Sequence, residues 1–247
     1  MQPYIFPYLG YFQLISALDT FVIYDNTQFI SRGWVNRNRI LVNGKASFIT
    51  FPLKGSHLTE NINKRYFLDD IAWHKKRLLN GIYLSYARAP FFRETFPLIE
   101  SIVNFKEQNV ALFNENSIRI LCRHLGIFTK ILVSSQLPFY EKLSGTERLI
   151  NLLNGLGADV SINPIGGFHL YRCEEFRRHG ITLKFIKTED IPYRQFNGAY
   201  VTNLSIIDML MFVPLIEIQE RLLRYSLIDN FNIDFDSSID QFRIHGQ

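Results

Sequence analysis

Apolar positions change period several times along the chain. From Tyr11 to Leu18 they recur at helical spacing, and the next run, Thr20 to Tyr24 (TFVIY), is apolar throughout and stops at Asp25. A short run without polar alternation suits a strand covered on both faces, as in a parallel sheet flanked by helices. Arg39 to Val42 and Ala46 to Pro52 are strand-like on either side of Asn43-Gly44. That dipeptide predicts a hairpin, because both residues accept the positive φ that a tight turn demands. Helical spacing then holds over Asp69 to Tyr86 and Phe91 to Glu107, with Ala89-Pro90 breaking the two. It holds again from Val110 to Leu125, where Gly126 follows as a C-terminal stop.

The second half alternates. TKILVS (Thr129 to Ser134) and ADVSIN (Ala158 to Asn163) read as strands, as does ITLKFI (Ile181 to Ile186). GTERLINLLNGL (Gly145 to Leu156) and Tyr171 to Gly180 read as helices between them, and Ser205 to Tyr225 as one last long helix. Alternation of this kind implies crossover connections and a mainly parallel, Rossmann-like sheet flanked by helices. The expected organisation is a single α/β domain over 1–228, with a helical portion at about 69–126 and a polar tail over 229–247. Ligands in such folds bind beyond the carboxyl ends of the strands. Here those ends are Asp25, Ser134-Ser135, Asn163 to Gly167 and Lys187 to Pro192.

Charge narrows the partner. The 27 basic residues are interspersed with 23 acidic ones for a net +4, without the clustered stripe of a nucleic-acid binder. A small anionic substrate fits that modest excess. The two cysteines, Cys122 and Cys173, lie in helical patterns without metal-ligand spacing, and the six histidines are scattered. The longest apolar stretch, Leu204 to Ile218, contains Asp208, Pro214 and Glu217 and is too short to span a bilayer. No signal-peptide pattern opens the chain, and a cytoplasmic location is expected.

Candidate chemistry concentrates early. Gln2, Tyr4, Tyr8, Gly10 and Tyr11 crowd the loop before the first helix, where Pro3 and Pro7 fix the path. Free N–H groups at a helix start favour an anion, and glycine lets it approach. A proline-rich entry loop with its rings on the core is the other reading. From Asp25 to Arg39 come Gln28, Arg32, Trp34, Asn36 and Arg37: guanidinium forks for phosphate or carboxylate, and an indole for stacking on a base or sugar. An ordinary basic loop is equally compatible. Gly166 and Gly167 follow the ADVSIN strand in PIGGFHLY, and Tyr193 and Gln195 follow ITLKFI. Ser205 or Asn203 is expected to cap the last helix, with Asp208 in its first turn. No Walker loop, GxGxxG, HExxH or nucleophile elbow is present.

The segments MQPYIFPYLGYFQLISALDTFVIYDNTQFISRGWVNRNRI, WHKKRL, SYARAPFF, TERLI…LGAD and YVTNLSIIDML closely resemble the WbqC-like protein family, over residues 1 to about 215. That resemblance implies a role in O-antigen or other surface-polysaccharide synthesis, as a transferase making or modifying a nucleotide-activated or lipid-linked sugar by acyl, aminoacyl or glycosyl transfer. Under it, Arg32 and Arg37 hold the anionic group, Trp34 stacks, and Tyr8, Gly10 and Tyr11 line a helix-start pocket. Asp25 and Gln28 orient the acceptor. Family members carry a short apolar strand before the MQPY motif, so a few residues upstream of Met1, or an internal start, are expected.

GYFQLISALDTFVIYDNTQF is similar in layout to the first βαβ unit of pantothenate synthetases and related nucleotidylyltransferases. Their HxGH motif aligns with Tyr8-Leu9-Gly10-Tyr11. That similarity implies a nucleotidylyltransferase-like sheet and, as an alternative function, an ATP- and magnesium-dependent ligase or nucleotidylyltransferase. Neutral tyrosines supply no imidazolium charge to a phosphoryl group. A non-catalytic sugar-binding or assembly protein is a further alternative, and a homo-oligomer is compatible with each.

Overall fold

The structure is a computed structural model and describes residues 1–55, 57, 59–138, 143 and 145–229. All but the first residue of the expected tail lies outside them. The chain divides into two compact units, residues 1–133 with 190–223, and residues 134–189 with the segment from 224.

The first unit opens with α1 (Leu9–Ser16), β1 (Thr20–Ile23) and the hairpin β2 (Arg37–Val42) and β3 (Lys45–Thr50). Asn43 and Gly44 take φ of 49° and 74°, the paired positive values that the Asn-Gly turn predicts. Three helices follow, α2 (Ile71–Tyr86), α3 (Phe92–Val103) and α4 (Val110–His124), where helical periodicity places them. The Asn109 side chain caps α4 by accepting the N–H groups of Ala111 and Leu112. Gly126, at φ 74°, closes the far end of α4, and the Ile127 N–H reaches the Cys122 carbonyl.

After α4 the chain forms β4 (Lys130–Val133), which pairs in parallel with β1, Thr20 opposite Lys130 and Ile23 opposite Val133. On the other side of β1, the Met1 amino group donates to the Val22 carbonyl and the Tyr24 N–H donates to the Met1 carbonyl. This is parallel pairing with Met1 opposite Ile23, so α1 is the crossover of a small βαβ unit. Phe51, Phe67 and Phe113 pack together in the core with ring centroids 5.2–5.7 Å apart, Phe67 and Phe113 edge to face and Phe51 tilted against both.

The long helix expected over Ser205 to Tyr225 is instead two, α7 (Ile206–Phe212) and α8 (Leu215–Arg221). Pro214 has no N–H to continue the ladder, and Val213 before it is extended at φ −118°, ψ 132°. Beyond α8 the chain leaves the helix altogether, and Tyr225 begins a strand.

The second unit holds α5 (Gly145–Gly155), β5 (Val160–Pro164), α6 (Cys173–Arg177), β6 (Thr182–Thr188) and β7 (Tyr225–Asp229). β5 and β6 are parallel, as alternation implies, while β7 adds to β6 in the antiparallel sense. Ile150, Phe176, Leu183 and Phe185 form its core. Both units are thus mixed α/β, with parallel pairs at β1–β4 and β5–β6 and antiparallel pairs at the hairpin and at β7. Among the described residues, no helix is long and apolar enough to cross a membrane.

Candidate functional site

The opening segment threads through the interior of the first unit, and its buried carbonyls set the demands on the residues around it. A buried carbonyl without a partner is costly, so each needs a donor. The Asn38 amide on β2 donates to the carbonyls of Ile5 (2.9 Å) and Phe6 (2.8 Å), and its own oxygen accepts the Arg39 N–H. Asn114 on α4 donates to Pro3 (2.9 Å) and Val35 (2.7 Å). Ser205 donates to Phe6, and the Ile206 N–H at the start of α7 donates to Pro7. Phe6 sits at φ 43°, a left-handed conformation that this clamp holds in place. Asn38 reads in the sequence only as one of the polar residues of the 25–39 segment, and Asn114 does not stand out; the signal for both is a polar side chain at an inward position of an apolar strand or helix stripe.

The clamp delivers three tyrosines to the amino end of α1. Tyr8 occupies the N-cap position with extended backbone and makes no side-chain cap. The rings of Tyr4 and Tyr11 are 5.6 Å apart, and the Tyr11 hydroxyl donates to the Gln2 carbonyl at 2.9 Å. Gly10 is buried beside them. Burial pushes all three hydroxyls above the ordinary phenol range, Tyr4 to about 12, and their mutual proximity adds to the effect at Tyr4 and Tyr11. They are therefore neutral hydrogen-bonding groups at any physiological pH.

Met1 opposite Ile23 sets the start of the chain against the carboxyl end of β1, which runs on through Tyr24 to Asp25. Asp25 is only 5% exposed. Its carbonyl accepts the Asn63 N–H at 2.8 Å, and its Oδ2 accepts the Asn63 amide at 3.4 Å. Gln28 is exposed and bridges to Asn61, so residues 25–29 are braced by residues 60–63. The arrangement offers hydroxyls for polar ligand atoms, a helix N-terminus, and one carboxylate able to accept a proton from a hydroxyl or amine.

The arginine segment is organised differently. Arg37 donates from Nε to the Gly33 carbonyl (3.2 Å) and from Nη2 to the Arg32 carbonyl, and its guanidinium lies 4.4 Å from the Phe48 ring. It thereby fastens a turn in which Arg32 takes φ 63°. Arg32 itself is exposed. Trp34 stacks obliquely on Phe48 (6.2 Å), with Arg39 5.5 Å over its ring. Asn36 donates to the Phe51 carbonyl at 2.9 Å.

Tyr193 and Gln195 converge on Asp208, which is fully buried. Asp208 Oδ2 accepts from the Tyr193 hydroxyl (2.7 Å) and the Gln195 amide (2.6 Å), and Oδ1 accepts from the Tyr86 hydroxyl (2.7 Å). Tyr86 in turn accepts the Leu41 N–H. Desolvation raises the Asp208 carboxyl, against the lowering effect of its three donors. Ser205 caps α7, its oxygen accepting the Ile207 N–H, as expected. Asp208, expected only as a favourable charge in that first turn, is the centre of a polar network joining α2, α7 and the 193–195 segment. Gly166 and Gly167 lie in the second unit, in the turn Ile165–Leu170, whereas the other candidates belong to the first. Among the described residues no group of three or more His, Cys, Asp or Glu is placed to hold a metal ion.

An α/β protein with a clamped, tyrosine-lined helix start beyond a parallel strand is the class that the geometry defines. The WbqC-like protein family matches residues 2–220, and the chain belongs to that family. It is also similar to the uncharacterized protein Rv1507c of Mycobacterium tuberculosis, 28% identical over 210 residues that cover 84% of this chain and 89% of that protein. No solved structure gives a significant match.

The βαβ layout of Met1, α1 and β1 parallels the nucleotidylyltransferase likeness, but the residues do not fit ATP at α1. Tyr11, in place of the second histidine, is 1% exposed and its hydroxyl is spent on Gln2. Neither tyrosine carries charge for a phosphoryl group.

Proposed function

We propose that the protein is a cytoplasmic transferase acting on a nucleotide-activated or lipid-linked sugar in the synthesis of O-antigen or another surface polysaccharide, by acyl or aminoacyl transfer to an amino sugar or by glycosyl transfer. Membership of the WbqC-like family supports the pathway. The observation that carries the chemistry is the cluster of Tyr4, Tyr8 and Tyr11 at the amino end of α1, with the buried Asp25 just past the end of the strand that pairs with Met1.

In this reading Tyr4, Tyr8 and Gln2 hydrogen-bond the sugar, while Gly10 admits an anionic group to the helix start. Asp25 receives the proton of the attacking hydroxyl or amine and Gln28 orients that acceptor. Tyr11 positions Gln2. Arg32 supplies positive charge, Trp34 the stacking surface, and Asn36 and Arg37 hold the loop that presents them. Tyr193 and Gln195 act through Asp208. Gly166 and Gly167 remain proposed ligand contacts of the second unit. The partner is a small anionic molecule, not a nucleic acid.

Turnover tests the proposal. The purified chain is incubated with amino-sugar nucleotides and a panel of acyl, aminoacyl and glycosyl donors, and products are read by mass spectrometry. A mass gain on the acceptor that disappears in Asp25→Asn supports transfer. A gain of equal rate in Asp25→Asn removes the role of that carboxylate, and ligand binding without any product across the panel favours a sugar-binding assembly protein.

A further inference from the structure

Away from the opening segment, the β2–β3 hairpin and α2 enclose a groove of about 520 Å³. Small-molecule sites run to roughly 300–1,000 Å³, so the space suits a ligand of modest size. Its helical wall is one stripe of α2, His74, Arg77, Leu78, Gly81 and Leu84, spaced by one to four positions along a single face. The face that packs inward carries Ile71, Leu79, Ile82 and Tyr86, so the stripe is not the helix's core contact. Ile40, Val42, Phe48 and Ile49 form the facing wall on the hairpin.

Two features set the chemistry of an occupant. Large apolar side chains are left open along the groove, with Leu84 81% and Phe48 53% exposed. The ionisable residues that line it are His74 and Arg77, both basic and both toward the amino end of the stripe. Arg77 is held 5.5 Å over the Trp73 ring, and His74 has the exposed Asp70 carboxylate 3.7 Å away. Ser85 is the one other polar residue on the α2 wall and is uncharged, so charge is confined to the amino end of the stripe. His74 and Leu84 are separated by about 15 Å, at roughly 1.5 Å per residue. A wholly polar anion would leave Phe48 and Leu84 in water, and an uncharged hydrocarbon would leave Arg77 unused.

We infer that this groove binds a single-chain amphiphile with a phosphate head, its head at His74 and Arg77 and its chain along Gly81, Leu84 and the hairpin. The inference does not rest on the reading of the α1 site, and each can fail alone.

The test is calorimetric titration of the whole chain with dodecyl phosphate below its aggregation concentration. Butyl phosphate, dodecyl maltoside and anionic phospholipid vesicles serve as comparisons. Burial of each methylene contributes about fourfold in affinity, so dodecyl phosphate should bind at one saturable site at least tenfold more tightly than butyl phosphate. Dodecyl maltoside, with no charge for Arg77, should also bind at least tenfold more weakly. Arg77→Gln should weaken dodecyl phosphate binding at least fivefold. Gly81→Leu should abolish it. An added Cβ at Gly81 meets nothing within 4 Å, and leucine is the better helix former, so the variant fills the groove without unfolding the chain. Its thermal unfolding confirms that point. Absence of dodecyl phosphate binding, binding that survives Gly81→Leu, equal affinity for dodecyl maltoside, or binding to vesicles alone would each overturn the inference.

Discussion

Tyr11 donates its hydroxyl proton to the Gln2 carbonyl at 2.9 Å, tying the first turn of α1 back to the start of the chain. The bond converts a residue that reads as a ligand contact into one that shapes the contact of another. Tyr11→Phe leaves a part-buried carbonyl without its donor and should cost about 1–2 kcal/mol in urea unfolding. Its effect on ligand affinity should be smaller than that of Tyr8→Phe. A larger effect would show that the Tyr11 hydroxyl leaves Gln2 to meet the substrate.

Asn38 serves three backbone groups with one amide, donating to Ile5 and Phe6 and accepting from Arg39. Asn38→Asp keeps the shape but sets a carboxylate oxygen against two carbonyls. The expected loss is on the order of 3 kcal/mol or more, exceeding that of Asn36→Asp at the half-buried neighbour that donates to Phe51 alone. Chemical denaturation of both variants checks the order. Equal losses would mean that the clamp on the opening segment is not what Asn38 provides.

Several tyrosines resist ionisation in the folded chain. Tyr4 is pushed up to about 12 by burial and by Tyr8, and Tyr8, Tyr11, Tyr86 and Tyr193 are raised as well. These groups keep their protons in the folded state while the unfolded chain releases them from about pH 10. Their contribution is fully present below pH 10 and is lost as pH rises from there, through about 12 for Tyr4. The burial-raised Cys122 thiol, pushed up to about 12, acts in the same sense, so the melting temperature should fall progressively from about pH 9 upward, and Tyr4→Phe should shallow the fall. An ultraviolet titration in which every tyrosine ionises near pH 10 with the fold intact would contradict this.

The Asp208 network makes a different demand. Three donors, from Tyr86, Tyr193 and Gln195, meet two carboxylate oxygens. Asp208→Asn replaces one acceptor by a donor and should destabilise by about 1–3 kcal/mol. Tyr193→Phe should cost less, because its half-buried hydroxyl removes only one of the three. Thermal melts that rank the two the other way would assign Asp208 a role other than anchoring α2 to the 193–195 segment.

How much of this was legible depended on what each pattern reports. The Asn43-Gly44 turn, the helices of the middle segment and the parallel pairs were readable because local propensity and burial periodicity agree there. The break at Pro214 was masked by an apolar rhythm that runs across it on both sides. β7 was hidden because YSLID has little burial of its own and takes its conformation from pairing with β6. The tyrosine segment was visible as unusual chemistry before a helix. Arg37 reads in sequence as an anion fork, since a guanidinium that serves carbonyls four and five residues back looks the same there as one that serves a phosphate. The buried Asn38 and Asn114 work on main-chain groups far along the chain, a relationship no local pattern contains.

Everything proposed for the chemistry rests on the tyrosine-lined start of α1 binding an activated sugar. The most direct test of that binding is calorimetric titration of the chain with UDP-, GDP- and dTDP-linked sugars and amino sugars, repeated on Tyr8→Phe. One-to-one binding of at least one of these compounds, weakened about tenfold in Tyr8→Phe at unchanged melting temperature, is the predicted result. No heat with any of them, or affinity indifferent to Tyr8, would contradict the claim.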